Sequence, residues 1–225
     1  TFLRHVTHEL KTPLASMLEG TDLLSDEIVG PITKEQQAVL ELISQSMVRL
    51  RTMIDSLLSY NAIRTSKDSV SEVEFGNLIN KINSHFEHRL TAKQQRLNWH
   101  NSITKQPLAF PAELIEMTLI QLISNALKFS NTGQSVDVTL ALEQKLLTIQ
   151  VRDEGCGIKE QEKTQIFSAF YQGKHNKDVT LQGSGLGLTI VKESVEQLQG
   201  QLSVEHNQPQ GCLFTIKIPL INQGV

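Results

Sequence analysis

The stretch FLRHVTHELKTPLASM, residues 2–17, decides how the chain begins to fold. Leu3, Val6, Leu10, Leu14 and Met17 step by three and four, and the stripe continues to Leu24 and Ile28. That spacing predicts a helix with one apolar face. Within it stands Pro13, which removes a backbone donor, crowds the preceding turn and costs on the order of 3 kcal/mol. The proline leaves the Glu9 carbonyl without its intrahelical partner, so a bend is expected there, its cost offset by packing in a bundle.

A second stripe, Val39, Ile43, Met47, Leu50, Ile54 and Leu57, keeps nearly a heptad rhythm. It follows DEIVGPIT (26–33), whose Gly30 and Pro31 mark a turn. Two helices joined this way form an antiparallel hairpin with too little core to stand alone. Two copies are expected to pair into a dimeric four-helix bundle, the alternative being that the stripe lies on the rest of the same chain.

After the polar link RTSKDSVSE (64–72) the pattern changes, and a second domain begins near Val70. FGNLINKINSHFEHRL (75–90) and PAELIEMTLIQLISNALKFS (111–130) read as helices, the latter with proline in its first turn. Alternation at Val136, Val138, Leu140 and Leu142, at Leu147, Ile149 and Val151, and at Phe214, Ile216 and Ile218 predicts strands. The order implies an α/β sandwich, one sheet covered on one face by helices. The whole is an α+β, multidomain chain: a hairpin over 1–66 and a sandwich domain over 70–225.

Composition narrows the function. A formal charge of −3 and a pI near 6.2 over 225 residues give no basic excess for nucleic acid. No apolar run approaches the roughly 18 to 20 residues that cross a bilayer, so no direct membrane contact is expected of this stretch. Cys156 and Cys212 lie far apart without metal or framework spacing and read as free thiols.

Three stretches of the second domain carry chemistry. Asn125 sits in the interior of QLISNALKFS (121–130), where a poor helix former needs a reason: its oxygen serves a hard cation or a buried neighbour. VRDEGCGI (151–158) places Asp153 before Gly155 and Gly157, either a plain turn or a site where backbone approaches a flat ligand and the carboxylate accepts from an amine. GSGLGLTIVKESV (183–195) sets Gly183, Gly185 and Gly187 directly before a helix, an arrangement for phosphate. It is not the dinucleotide fingerprint, which needs a strand immediately upstream. The polar YQGKHNKDVTLQ (171–182) before it reads as a lid or a surface loop.

In this order the motifs resemble those of the sensor histidine kinases of two-component signalling. FLRHVTHELKTPL is similar to the family's H box, QLISNALKFS to its N box, DEGCG to its first glycine box, IFSAFYQG (166–173) to its F box and GSGLGL to its second glycine box. The resemblance implies a dimerisation and phosphotransfer hairpin followed by a gyrase-like ATP-binding domain. It assigns phosphorylation to His8, proton handling to Glu9, and orientation of a hydrolytic water to Thr12, hence phosphatase activity. A zinc-protease reading of HELKT fails because position 12 is Thr12, not histidine.

The resemblance further implies that Asn125 holds Mg²⁺, Lys128 faces the phosphates of ATP, Phe129 lies by the base and Asp153 accepts from the adenine amine. Gly155 and Gly157 would shape the adenine pocket, and Gly183, Gly185 and Gly187 would cradle phosphates. Two residues depart from the pattern: Gln121 stands where many relatives have asparagine, and Gln172 where many have arginine. The departures leave a second reading, a dimeric adaptor that binds nucleotide without phosphotransfer. Implied partners are a second copy of the chain and the receiver domain of a cognate response regulator. Thr1 lies only seven residues before His8, so the chain is expected to continue upstream, as the cytoplasmic portion of a bacterial inner-membrane sensor.

Overall fold

The computed structural model describes residues 2–65, 70–104, 107–173 and 184–220, the side chains of 2–8, 59 and 62–65 excepted. The first apolar stripe forms helix α1 (Phe2–Ser25), and the second forms α2 (Lys34–Thr65). Helix α1 continues through Pro13 as a single element. The turn between the helices uses Gly30 at φ +143°, backbone that only glycine adopts freely. At the start of α2, Thr33 Oγ1 accepts from the Gln36 amide, and Gln36 Oε1 accepts from the Thr33 amide in return, a reciprocal cap.

Only a minority of the stripe is buried inside the hairpin. Leu14, Met47 and Ile54 are buried with Leu18 packed beside them, whereas Leu10, Met17, Leu24, Val39, Ile43 and Leu50 stay exposed in the single chain.

The second domain is built from β1 (Ser71–Val73), α3 (Phe75–Ala92), β2 (Arg96–Asn101), β3 (Leu108–Phe110), α4 (Ala112–Phe129), β4 (Ser135–Glu143), β5 (Leu146–Asp153), α5 (Gly187–Gln197), β6 (Gln201–His206) and β7 (Cys212–Pro219). Strands β1 and β3 pair as a small antiparallel ribbon. The main sheet has the order β2-β4-β5-β7-β6, antiparallel except for the parallel β2/β4 pair.

Alternation settles which face is covered. Val136, Val138 and Leu140 of β4, Leu147, Ile149 and Val151 of β5, and Phe214, Ile216 and Ile218 of β7 are buried. They meet Ile115, Leu119, Leu122 and Ile123 of α4, with Ile190 and Val191 of α5, in one core. The opposite face is polar, with Gln150 donating to Thr215 across β5 and β7. Pro111 caps α4 rather than entering its first turn; its fixed φ suits either place.

Candidate functional site

The buried alternation of β5 continues one step past its apolar residues to Asp153, 5% exposed and set opposite Val136 of β4. A carboxylate at a core position must be hydrogen-bonded. Asp153 Oδ1 accepts from the Gly155 amide at 2.9 Å and the Cys212 amide at 3.1 Å. Burial raises the carboxyl above its usual range, and these two amides pull it back. Both bonds fall on Oδ1.

The loop after Asp153 is pressed against the end of α4. A Cβ on Gly155 would lie 2.7 Å from the Phe129 carbonyl oxygen, so a side chain there would push the loop off the helix. From the other side, a Cβ on Gly211 would collide with the Asp153 carbonyl, and Asn207 Nδ2 donates to that same oxygen at 2.8 Å. Gly211 and Asn207 hold Asp153 from the β6–β7 loop, a role no local sequence signal announces. The C-terminal end of α4 is capped by buried Gln95, whose Nε2 donates to the carbonyls of Leu127, Ser130 and Asn131.

Asn125 and Lys128 stand three residues apart on α4 and so share a face. Opposite them α5 begins at Gly187, where a Cβ would sit 2.9 Å from Gln121 Oε1 and 3.8 Å from Asn125 Oδ1. Glycine keeps that gap open. The neutral amide oxygens of Gln121 and Asn125 suit Mg²⁺, a hard cation that takes few protein oxygens and completes its shell with phosphate and water, while the N-terminus of α5 suits the phosphate. The Lys128 ammonium lies 4.8 Å from the centre of the Phe129 ring. Burial pushes it down to about 8, with repulsion from Arg89 and then Arg49.

Gly185 takes φ +71° and packs so tightly on the backbone of Phe170 that a Cβ would lie 2.7 Å away. Its carbonyl accepts from the Phe170 amide at 3.0 Å, and Thr189 donates to the Phe167 carbonyl at 3.2 Å. The IFSAFYQG segment is thereby fastened to the glycine loop. Gly157 takes φ +74° beside the Gly211 carbonyl. Gly183 and the stretch from Lys174 lie outside the described residues.

Asn125, Lys128 and Phe129 thus lie on the C-terminal half of α4, with Gly155 and Gly187 packed against it; Asp153 holds the Gly155 loop, Gly157 lies further along that loop, and Gly185 precedes α5 against Phe170. His8, Glu9 and Thr12 lie apart from them on α1, Glu9 and Thr12 exposed. Helix α2 connects the two groups. Lys11, three residues after His8, makes a 2.6 Å ion pair with Asp55. The next residue, Ser56, accepts from Ser184 Oγ at 3.0 Å, inside the glycine loop. Ser184 Oγ also accepts from the Leu186 amide, and Tyr60 OH reaches Glu193 of α5 at 3.5 Å.

Known proteins align with this arrangement along its length. Residues 1–66 match the His Kinase A (phospho-acceptor) domain, and residues 112–222 match the Histidine kinase-, DNA gyrase B-, and HSP90-like ATPase family. The chain belongs to the sensor histidine kinases of two-component signalling. It is 36% identical over 223 residues to Sensor histidine kinase GlrK of Escherichia coli (strain K12), covering 97% of this chain and 46% of that protein. It is 32% identical over 226 residues to Autoinducer 2 sensor kinase/phosphatase LuxQ of Vibrio cholerae, covering 97% of this chain and 26% of that one. The chain therefore spans less than half the length of these relatives.

The fold is that of ShkA, solved full-length in complex with AMPPNP (TM-score 0.72, 22% identity, 99% of this chain and 46% of that one). It is also that of the Acinetobacter baumannii histidine kinase AdeS (TM-score 0.65, 24% identity, 96% and 98%). Among the described residues no helix is long and apolar enough to cross a membrane.

Proposed function

We propose that the chain is an ATP-dependent autokinase: a phosphotransfer hairpin over residues 1–66 receives a phosphoryl group on His8 from ATP bound by a catalytic domain over 70–225. A ring nitrogen of His8 forms the new bond to the γ-phosphorus, the bond to the β–γ bridging oxygen breaks, and ADP leaves. Glu9, on the adjoining position of the helix, takes up the imidazole proton. The phosphoryl group then passes to an aspartate on the receiver domain of a response regulator. Thr12, on the same helix face as His8, orients water for phosphatase activity on that partner, in which water attacks the aspartyl phosphate, the acyl–phosphate bond breaks and inorganic phosphate is released.

Asp153 selects adenine by accepting from its exocyclic amine. Phe129 flanks the base, with Gly155 and Gly157 keeping the pocket open, while Lys128 and the Gly183, Gly185 and Gly187 loop hold the phosphates. Asn125 would hold Mg²⁺, which when bound neutralises phosphate charge. The functional unit is a homodimer whose two hairpins join through the exposed residues of their stripes. In the whole protein this unit is the cytoplasmic part of a membrane-bound sensor.

The observation that carries the reading is the bridge through α2: Lys11 to Asp55, then Ser56 to Ser184. It supports the reading, because Asp55, paired with Lys11 on α1, adjoins Ser56, bonded to Ser184 of the glycine loop. The experiment is labelling from γ-labelled ATP with Asn125→Asp. Loss of the label with an unchanged circular dichroism spectrum is the expected result. A native chain that binds ATP and takes no label would favour the adaptor.

A further inference from the structure

The face of α4 next to the proposed nucleotide site carries more positive charge than the site residues account for. Helix α3 packs along α4 and brings Arg89 within 3.4 Å of Ser124 Oγ, its Nη1 donating. Ser124 and Lys128 are one turn apart on α4, so the guanidinium lies on the Lys128 side of the helix. One turn beyond Arg89, Lys93 at the end of α3 adds a third cation. All three are partly buried.

A desolvated cation is ordinarily paired with an acid, because its own hydration is lost without compensation. Among the described residues, no carboxylate makes an ion pair with Arg89, Lys93 or Lys128. They repel one another instead: Arg89 lowers both Lys93 and Lys128, and burial lowers all three. Among the described residues nothing balances this charge, and an anionic ligand would. The planar, forked guanidinium suits phosphate better than the point charge of a lysine.

We propose that Arg89 is a phosphate-binding residue that works beside Lys128 on the terminal phosphate of the bound nucleoside triphosphate, with Ser124 holding its guanidinium in place. This rests on the nucleotide-binding reading above and extends it to a helix outside the recognised motifs. Arg89 would make the site favour the triphosphate over the diphosphate.

The test is titration of the native chain and of Arg89→Ala, Arg89→Lys and Ser124→Ala with ATP and with ADP at constant Mg²⁺. Arg89→Ala is expected to lose roughly tenfold in ATP affinity while ADP affinity moves by less than about twofold. Arg89→Lys should recover part of the loss, and Ser124→Ala should show a smaller loss in the same direction. Where truncation to alanine disturbs folding, Arg89→Met keeps the apolar stem and is expected to give the same ATP-specific loss. Unchanged ATP affinity in a folded Arg89→Ala or Arg89→Met chain, or equal losses for ATP and ADP, would overturn the role of Arg89. A native chain that binds neither nucleotide would overturn the nucleotide reading itself, and the role of Arg89 with it.

Discussion

The hairpin and the catalytic domain solve the burial problem in opposite ways. From Val73 to Ile218 the catalytic domain closes one continuous core, with Phe75, Ile82, Phe110, Leu140 and Ile149 wholly buried. The hairpin buries Leu14, Met47 and Ile54 and leaves Leu10, Met17, Leu24, Val39, Ile43 and Leu50 showing. One domain closes its core within a single chain; the other leaves most of its stripe exposed, as the proposed pairing with a second copy requires.

The sharpest way to break the contrast is in the cores. Phe110→Ala should cost the catalytic domain about 3–5 kcal/mol, read from denaturant unfolding, because a wholly buried ring leaves a cavity. Leu14→Ala should cost less than half as much in a single chain, since its surroundings can collapse around it. Next in size, Leu10→Glu with Met17→Glu should raise the dimer dissociation constant by roughly a hundredfold in sedimentation, by setting charge into an apolar interface. The unfolding midpoint of the catalytic domain should stay where it is.

A smaller effect concerns pH. Lys128 falls from 10.5 to about 8 on folding, so the unfolded chain binds more protons between those values. Stability from this group therefore rises as pH climbs from about 8 to about 10.5. The proposed role of Lys128 at the phosphates makes ATP affinity run the other way, because its charge is lost above about 8, and a loss of roughly tenfold is expected by pH 9.5. Lys128→Gln should bind weakly at neutral pH and lose this dependence on pH.

Much of this was legible in the residues. All five helices announce themselves by apolar spacing, and the three central strands by alternation, because each has a face wholly in the core. The strands that periodicity passes over are the sheet's edges: β2 and β6 have no fully buried residue, so RLNWHN and QLSVEH lack a run of buried positions. The short β1 and β3 are ribbons of three residues each. Asp153 is legible twice, as a motif residue and as a carboxylate in core register. Gly211, Ser56 and Arg89 are not, because what they do is made by contacts with residues distant in sequence: Gly211 with Asp153, Ser56 with Ser184, Arg89 with Ser124.

The measurement that bears most directly on the account is incubation of the chain with Mg²⁺ and γ-labelled ATP, native against His8→Ala, followed by treatment of the label with acid and with base. The account predicts a label that acid removes, base leaves intact and His8→Ala abolishes, while ATP binding and the fold persist. A label that survives acid, or one that remains in folded His8→Ala, would contradict it.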